Sequence, residues 1–315
     1  MYGGRVILEY KDSSHRYSAT VDGVKLKPSS VTTIKGQTLE KNGLQTWPMG
    51  LAMRHLLGFY DFDDDNGNRK TGFSEGVGVL WDFNLTDREG LIEHCKAATK
   101  LWTVRQKEGA DIGTLVHDAV EQYISGTPFD ITVDAYRERV AEKEGADAIT
   151  AVWEEKAPSE VEQANQAFNA FKAWWKGLGA TVVFAEEILY SIEFNLAGTC
   201  DYMLTIPGKG LVLADLKTTK ASARAGAPQG VYYDFMIQLG IYAAMLVEMG
   251  MEKPNDLMII SARKDGGFNP VYASELGLTV DECIDWGKHV IECYYFMRHT
   301  KKAITVLAGG EEKED

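Results

Sequence analysis

Residues 198–217 read GTCDYMLTIPGKGLVLADLK, two strand-like runs on either side of Pro207-Gly208-Lys209-Gly210. Turn residues dominate that tetrad, so the runs 198–206 and 211–217 form a hairpin. Residues two apart in a strand share a face, which makes Asp215 and Lys217 project together. They follow Leu211, Val212, Leu213 and Ala214, a run that reads as buried strand. A charged pair leaving such a run needs partners. The acid-x-Lys pattern alone is weak, because Glu9-Tyr10-Lys11, Glu154-Glu155-Lys156 and Glu311-Glu312-Lys313 carry it too and read as ordinary surface. Context sets Asp215 apart.

Asp201 is the nearest partner. A three-residue loop at 207–209 puts it directly opposite Asp215 on one face. A two-residue loop at 208–209 pairs it with Leu216 instead and turns the two carboxylates to opposite faces. With the longer loop the carboxylates repel unless a proton or a cation lies between them. An acid and a lysine at one strand end can hold a divalent cation and stabilise charge developing on a phosphate.

Working outward, TVVFAEEILYSIEF before the hairpin and DLMIISAR after it read as further strands. Helical periodicity marks about 97–125, with Ile112, Val116, Val120 and Tyr123 on one stripe. It also marks a stretch through Ala164, Phe168, Phe171, Trp174 and Trp175 that stops at Gly177 or Gly179, residues 229–249, and a long C-terminal helix around DECIDWGKHVIECYYFM. Residues 5–35 read as short strands with turns at Asp12-Ser13-Ser14 and Asp22-Gly23, ending in PSSVTTI. The acidic run DFDDDNGNRKTG fits a calcium loop poorly, since Gly67 falls one place late and Gly72 stands where a bidentate Glu is needed. The fold class expected is α/β (α+β): a mixed central sheet flanked by helices, with an N-terminal helical or mixed subdomain. The division expected is 1–95 for that subdomain, 96–305 for the core, and 306–315 for a frayed acidic tail.

Four further side chains are candidates. His117 lies at the edge of the apolar stripe of its helix, beside the small Gly113, and reads equally as a boundary histidine. Of Glu186 and Glu187, on alternating sides of a strand, only one can face the hairpin. Gln238 and Tyr242, four apart, share a helix face, or form the polar edge of a core helix.

The 315 residues carry a net charge of −13 and a pI near 5.0. This counts against a protein that coats nucleic acid indiscriminately, but not against one that grips phosphate through bound cations. No apolar run reaches about 18 residues, and the N-terminus lacks the basic start and apolar stretch of a signal peptide, so an intracellular, cytoplasmic protein is expected. Cys95, Cys200, Cys283 and Cys293 form no C-x-x-C pair, which argues against zinc and disulfides. No serine-nucleophile elbow, Walker loop, H-E-x-x-H or G-x-G-x-x-G is present to support a hydrolase of another kind.

The ordered series GTLVH, an acidic strand, GTCD, DLK and QLGIY, across residues 113–242, resembles the RecB-like branch of the PD-(D/E)XK nucleases. HRYSATVDGVKLKPSSVTTI with Leu44 and Trp47 resembles the phage-type and mitochondrial-maintenance-type exonucleases of that branch. The superfamily's first proline is missing, Cys200 standing before Asp201. The resemblance implies a restriction-endonuclease-like core and a metal-dependent deoxyribonuclease, exonuclease rather than endonuclease, acting in recombination, repair or replication. It implies Mg2+ or Mn2+ held by His117, Asp201, Asp215 and the Leu216 carbonyl, with Lys217 orienting or activating the attacking water. Glu186 or Glu187 would reach the metal through water, and Gln238 and Tyr242 would position Lys217 or the DNA. No iron–sulfur cluster is expected, because only Cys283 and Cys293 lie near the C-terminus. DNA with a free single-stranded end is the implied substrate, with an annealing protein or helicase as partner, in a bacterial or phage-infected cell. Two rival readings are a nuclease-like fold that binds nucleic acid without cutting it, and an endonuclease.

Overall fold

The computed structural model describes residues 2–11, 16–39, 59–63, 69–73, 111–127, 130–219 and 233–308. The chain divides into two compact units, one of residues 1–40, 116–221 and 228–315, the other of residues 41–115 and 222–227. In the second unit a hairpin pairs β5 (Phe59–Asp63) with β6 (Arg69–Phe73). The tryptophans at 47, 81 and 102, Cys95 and the middle of the acidic run at 64–68 lie outside the described residues.

The first unit is built on a mixed six-stranded sheet. Its order is β11 (Phe268–Tyr272), β10 (Asp256–Arg263), β9 (Gly210–Thr219), β8 (Leu196–Ile206) and β4 (Ser29–Ser30), with β7 (Thr181–Ser191) also paired to β8. β9 and β10 run parallel; β7–β8, β8–β9 and β10–β11 are antiparallel. Leu213, Leu257 and Ile259 on one face join the core of α5 (Tyr233–Glu248) and α6 (Val280–Leu307). Val212, Ala214, Leu216, Met258 and Ile260, facing the other way, are just as buried. A sheet covered on both faces carries continuous apolar strands, and LVLA and LMII have that character. β11 contains Pro270, which an outer strand tolerates because a missing N–H can face away from the ladder.

Residues 1–40 belong to this unit. β1 (Val6–Lys11), β2 (Arg16–Val21) and β3 (Val24–Leu26) form a separate sheet whose Val6 and Ala19 pack on Tyr190 and Ala197 of β7 and β8. The expected Asp22-Gly23 turn is there, both residues with positive φ (49° and 85°), as a two-residue hairpin with right-handed twist requires.

PSSVTTI is not the strand end that its β-branched residues suggest. Ser29–Ser30 pair with Leu196 and Ala197, and Val31 opens α1 (Val31–Thr38). Ser30 caps it, its hydroxyl accepting from the Thr33 N–H at 3.0 Å, while Val31 and Ile34 are fully buried. Capping and burial outweigh a β propensity of a few tenths of a kcal/mol per residue. The remaining helices are α2, described over 111–124, α3 (Val133–Glu144) and α4 (Ala151–Leu178), which ends at a left-handed Gly179. Among the described residues no helix is long and apolar enough to cross a membrane.

Candidate active site

The turn of the β8–β9 hairpin spans residues 207–209, with Ile206 paired to Gly210, so the three-residue alternative is the one adopted. The β8–β9 ladder ends at Tyr202↔Ala214, just short of Asp201 and Asp215, and the charge of Asp215 acts on the Asp201 carboxyl. On the other side of β8, the pairs Ala185↔Tyr202 and Glu187↔Cys200 put Glu186 across from Asp201. Three carboxylates on three strands thus interact. There the Leu216 N–H donates to Asp201 Oδ2 at 2.7 Å, a side chain taking over where the β8–β9 ladder stops.

Such a group is electrostatically costly without a counter-charge. Asp215 is 1% exposed and Asp201 9%. Burial first, and then the charge of Asp215, pushes the Asp201 carboxyl up to about 7 against the opposing pull of His117 and Lys217. Lys217 supplies part of the balance, its Nζ 2.5 Å from Asp215 Oδ2. Burial alone would lower the Lys217 ammonium, but Asp215 and Asp201 outweigh it and raise its pKa, so the side chain stays charged at neutral pH.

His117, on α2, meets the group from outside the sheet. Its Nε2 lies 2.9 Å from the Leu216 carbonyl oxygen. Its Nδ1 is 3.7 Å from Glu186 Oε1 and 3.9 Å from Asp201 Oδ2. With Nε2–H donating to that carbonyl, the Nδ1 lone pair faces two carboxylates. Burial lowers the imidazole pKa and the charges of Asp201 and Glu186 more than reverse this, so it is raised. Glu121, one turn on, is raised by its own burial and by Glu186. A Cβ at Gly113 would meet nothing within 4 Å among the described residues, so that glycine is not explained by close packing.

Glu186 is the member of its pair that turns toward His117 and Asp201; Glu187 is exposed and is not gathered into the cluster. The backbone of Glu186 has φ 50°, inside a strand. For an L residue that conformation costs about 1–2 kcal/mol, and it persists only where the surroundings enforce it.

Gln238 and Tyr242 come from α5, and Gln238 Nε2 donates to Asp215 Oδ1 at 3.3 Å and to the Tyr242 hydroxyl at 3.4 Å. Gly198, the first residue of GTCD, explains itself here. A Cβ on it would lie 2.7 Å from Tyr242 Cε1 and 2.8 Å from Val31 Cγ2. The glycine of G-x-x-D thus lets the tyrosine of Q-x-x-x-Y and helix α1 close on β8.

Sequence reasoning missed two residues. Lys35 of α1 is buried, donates to Gln238 Oε1 at 2.8 Å, and lies 3.3 Å from Asp234 Oδ2. Asp234 had a signal, since it starts the i, i+4, i+8 series with Gln238 and Tyr242; Lys35 had none, because VTTI reads as strand and its partner Gln238 lies far along the chain.

The donor set suits a hard divalent cation. His117, Glu186 and Asp201 offer ligand atoms all within 4.8 Å of one another, and the Leu216 carbonyl oxygen lies 2.9 Å from His117 Nε2; Asp215, held by Lys217 and Gln238, is not in that set. A cation would relieve the repulsion that pushes Asp201 up.

The family model of the PD-(D/E)XK nuclease superfamily matches residues 83–301, more than half of the chain. The chain belongs to that superfamily. PD-(D/E)XK nucleases act on nucleic acid with divalent metals. Among solved structures, the chain is similar to a presumed exonuclease from Eubacterium rectale (18% identity, 64% of this chain and 69% of that one, TM-score 0.37). It is also similar to the protein SSO0001 (15% identity, 57% and 84%, TM-score 0.27). No curated protein matches.

Proposed function

We propose that this protein is a Mg2+- or Mn2+-dependent DNA exonuclease of the RecB-like branch that prefers a single strand with a free end. The observation that carries the reading is the cluster of His117, Glu186 and Asp201, with the Asp215–Lys217 ion pair close enough for Asp215 to act on the Asp201 carboxyl. His117, Asp201, Asp215 and the Leu216 carbonyl hold the cation, which supplies positive charge for the scissile phosphate and the attacking water. Lys217, 2.5 Å from Asp215 Oδ2, orients or activates the attacking water, or donates a hydrogen bond to a phosphate oxygen as charge develops. Glu186, half-buried at the margin, accepts from a water at the cluster. Gln238 and Tyr242 hold Asp215 in place.

The preference for a single-stranded end rests on the sequence before His117: its resemblance to exonucleases, and Trp47, Trp81 and Trp102, which offer rings for stacking on unpaired bases. A role in recombination, repair or replication in the cytoplasm, with an annealing protein or helicase, belongs to the same reading. The test compares a covalently closed single-stranded circle with its linear form in magnesium. Digestion of the linear form alone is expected; equal cutting of both would make the protein an endonuclease.

A further inference from the structure

We infer that Lys35 is a positioning residue for Asp215, acting through the side-chain amide of Gln238. The inference deepens the nuclease reading and rests on it for the role of Asp215, but the arrangement itself does not depend on what the site cuts.

Lys35 is 7% exposed. Lysines are almost never buried unless paired, and the pairing here is directional. The ammonium donates to Gln238 Oε1 at 2.8 Å, lies 3.3 Å from Asp234 Oδ2, and sits 5.0 Å from the centre of the Phe235 ring. An ammonium has donors and no acceptor, so the atom of Gln238 that faces it must be the carbonyl oxygen. That choice leaves Nε2 facing Asp215 Oδ1 and the Tyr242 hydroxyl. The opposite flip would set an amide oxygen against a carboxylate and an NH2 group against an ammonium, two repulsive contacts in place of two attractive ones. Lys35 therefore selects the flip in which Gln238 is a donor to Asp215.

The selection matters because Asp215 has two oxygens with different neighbours. Oδ1 receives Gln238, while Oδ2 lies beside the Lys217 ammonium. Holding Oδ1 fixes the plane of the carboxylate and so the direction in which Asp215 presents itself to a cation and to Lys217. Lys217 reaches the same Phe235 ring, with its Nζ 5.2 Å from the centre, so the two lysines approach one aromatic ring while serving different partners. Asp234 and Asp215 offset part of what burial and the charge of Lys217 do to Lys35. The consequence is that α1, far from the D-x-K hairpin in sequence, sets a hydrogen bond at its centre.

The experiment uses the full chain and the variants Lys35→Met, Lys35→Arg, Gln238→Leu and Lys35→Met/Gln238→Leu. The side-chain NH2 resonances of Gln238 are read by NMR in 15N-labelled, metal-free protein, assigned by their loss in Gln238→Leu. Manganese affinity, kcat and KM on linear DNA are measured in parallel. Lys35→Met should move the Gln238 resonances, weaken manganese binding and lower kcat by roughly tenfold or more with KM little changed, and Lys35→Arg should recover part of each. The double variant should lose no more than Gln238→Leu alone, since both remove the same hydrogen bond. Unmoved Gln238 resonances, additive losses, or a raised KM with kcat intact would overturn the inference. If Lys35→Met does not fold, Lys35→Ala, which likewise removes the donor, carries the same expectations. A wild-type protein that cuts no DNA while its Gln238 resonances still respond to Lys35 would sink the nuclease reading and leave this one standing.

Discussion

Glu9 and Lys11 on β1 and Asp215 and Lys217 on β9 are the same local pattern, an acid and a lysine on one face of a strand. On β1 both side chains are exposed, and Glu9 accepts from the Ser18 hydroxyl at 3.1 Å across the hairpin. On β9 the acid is fully buried, its charge acts on the buried Asp201 carboxyl, and the lysine is drawn 2.5 Å from Asp215 Oδ2. Secondary structure does not distinguish the two. β1 lies at the outer edge of a three-stranded sheet, while β9 lies inside a sheet covered on both faces, so the Asp215 carboxylate has no water to fall back on. What the pair can do follows from what surrounds it.

The contrast makes its largest prediction at the buried end. Asp201→Ala and Asp215→Ala should lower kcat by on the order of a thousandfold or more, and Lys217→Ala comparably but with manganese binding retained. Glu9→Gln and Lys11→Ala should leave turnover and metal affinity as they are. Calorimetric titration and initial rates on linear DNA check both sets; a Lys217→Ala protein with wild-type turnover would erase the difference between the two strands.

A second, smaller effect separates the adjacent acids of β7. Glu186→Gln should weaken manganese binding or activity by about 10–100-fold, the usual cost of losing a carboxylate that supports a metal site. Glu187→Gln, on an exposed position, should do neither.

The group of acids should also respond to pH. Asp201 has a carboxyl raised from 3.8 to about 7. A raised acid favours the fold while protonated, so this contribution is full below about 3.8 and is lost as pH rises through 7. Metal-free protein should therefore lose stability across that window. Manganese affinity should rise over the same window by up to about tenfold per pH unit for each proton released. Thermal melts and titrations at pH 5, 6, 7 and 8 measure both slopes. Asp201→Asn should flatten them; unchanged slopes in that variant would place the titration elsewhere.

Smallest is the packing effect. Gly198→Ala should cost about 1–3 kcal/mol, because its Cβ would press on Tyr242 and Val31. Gly208→Ala, at the outer turn, meets nothing within 4 Å, and only its positive φ of 77° opposes it. Denaturant unfolding of the two variants compares them.

Much of this was readable in advance, for physical reasons that differ along the chain. β8, β9 and β10 announce themselves because buried strands need unbroken apolar runs and turns need Pro and Gly. Loop length stayed open until the register was seen, since Pro-Gly-Lys-Gly supports both turns. Helix α3 has little apolar face, burying only Tyr136 and Val140, so its periodicity is faint. VTTI looks like strand because propensity is local, while the Ser30 cap and the burial of Val31 and Ile34 are tertiary. The choice between Glu186 and Glu187 was hidden because a positive φ inside a strand has no mark in the sequence. Lys35 was missed because a lone lysine on a short helix has meaning only once Gln238 lies beside it.

The most direct test is manganese titration and magnesium-supported digestion of linear DNA by the wild type and by Asp215→Asn, after both are shown to melt cooperatively. The account predicts a wild type that binds manganese and degrades the DNA, and an Asp215→Asn protein that is folded, inert and weakened in manganese binding. An Asp215→Asn protein that degrades DNA at the wild-type rate would contradict it.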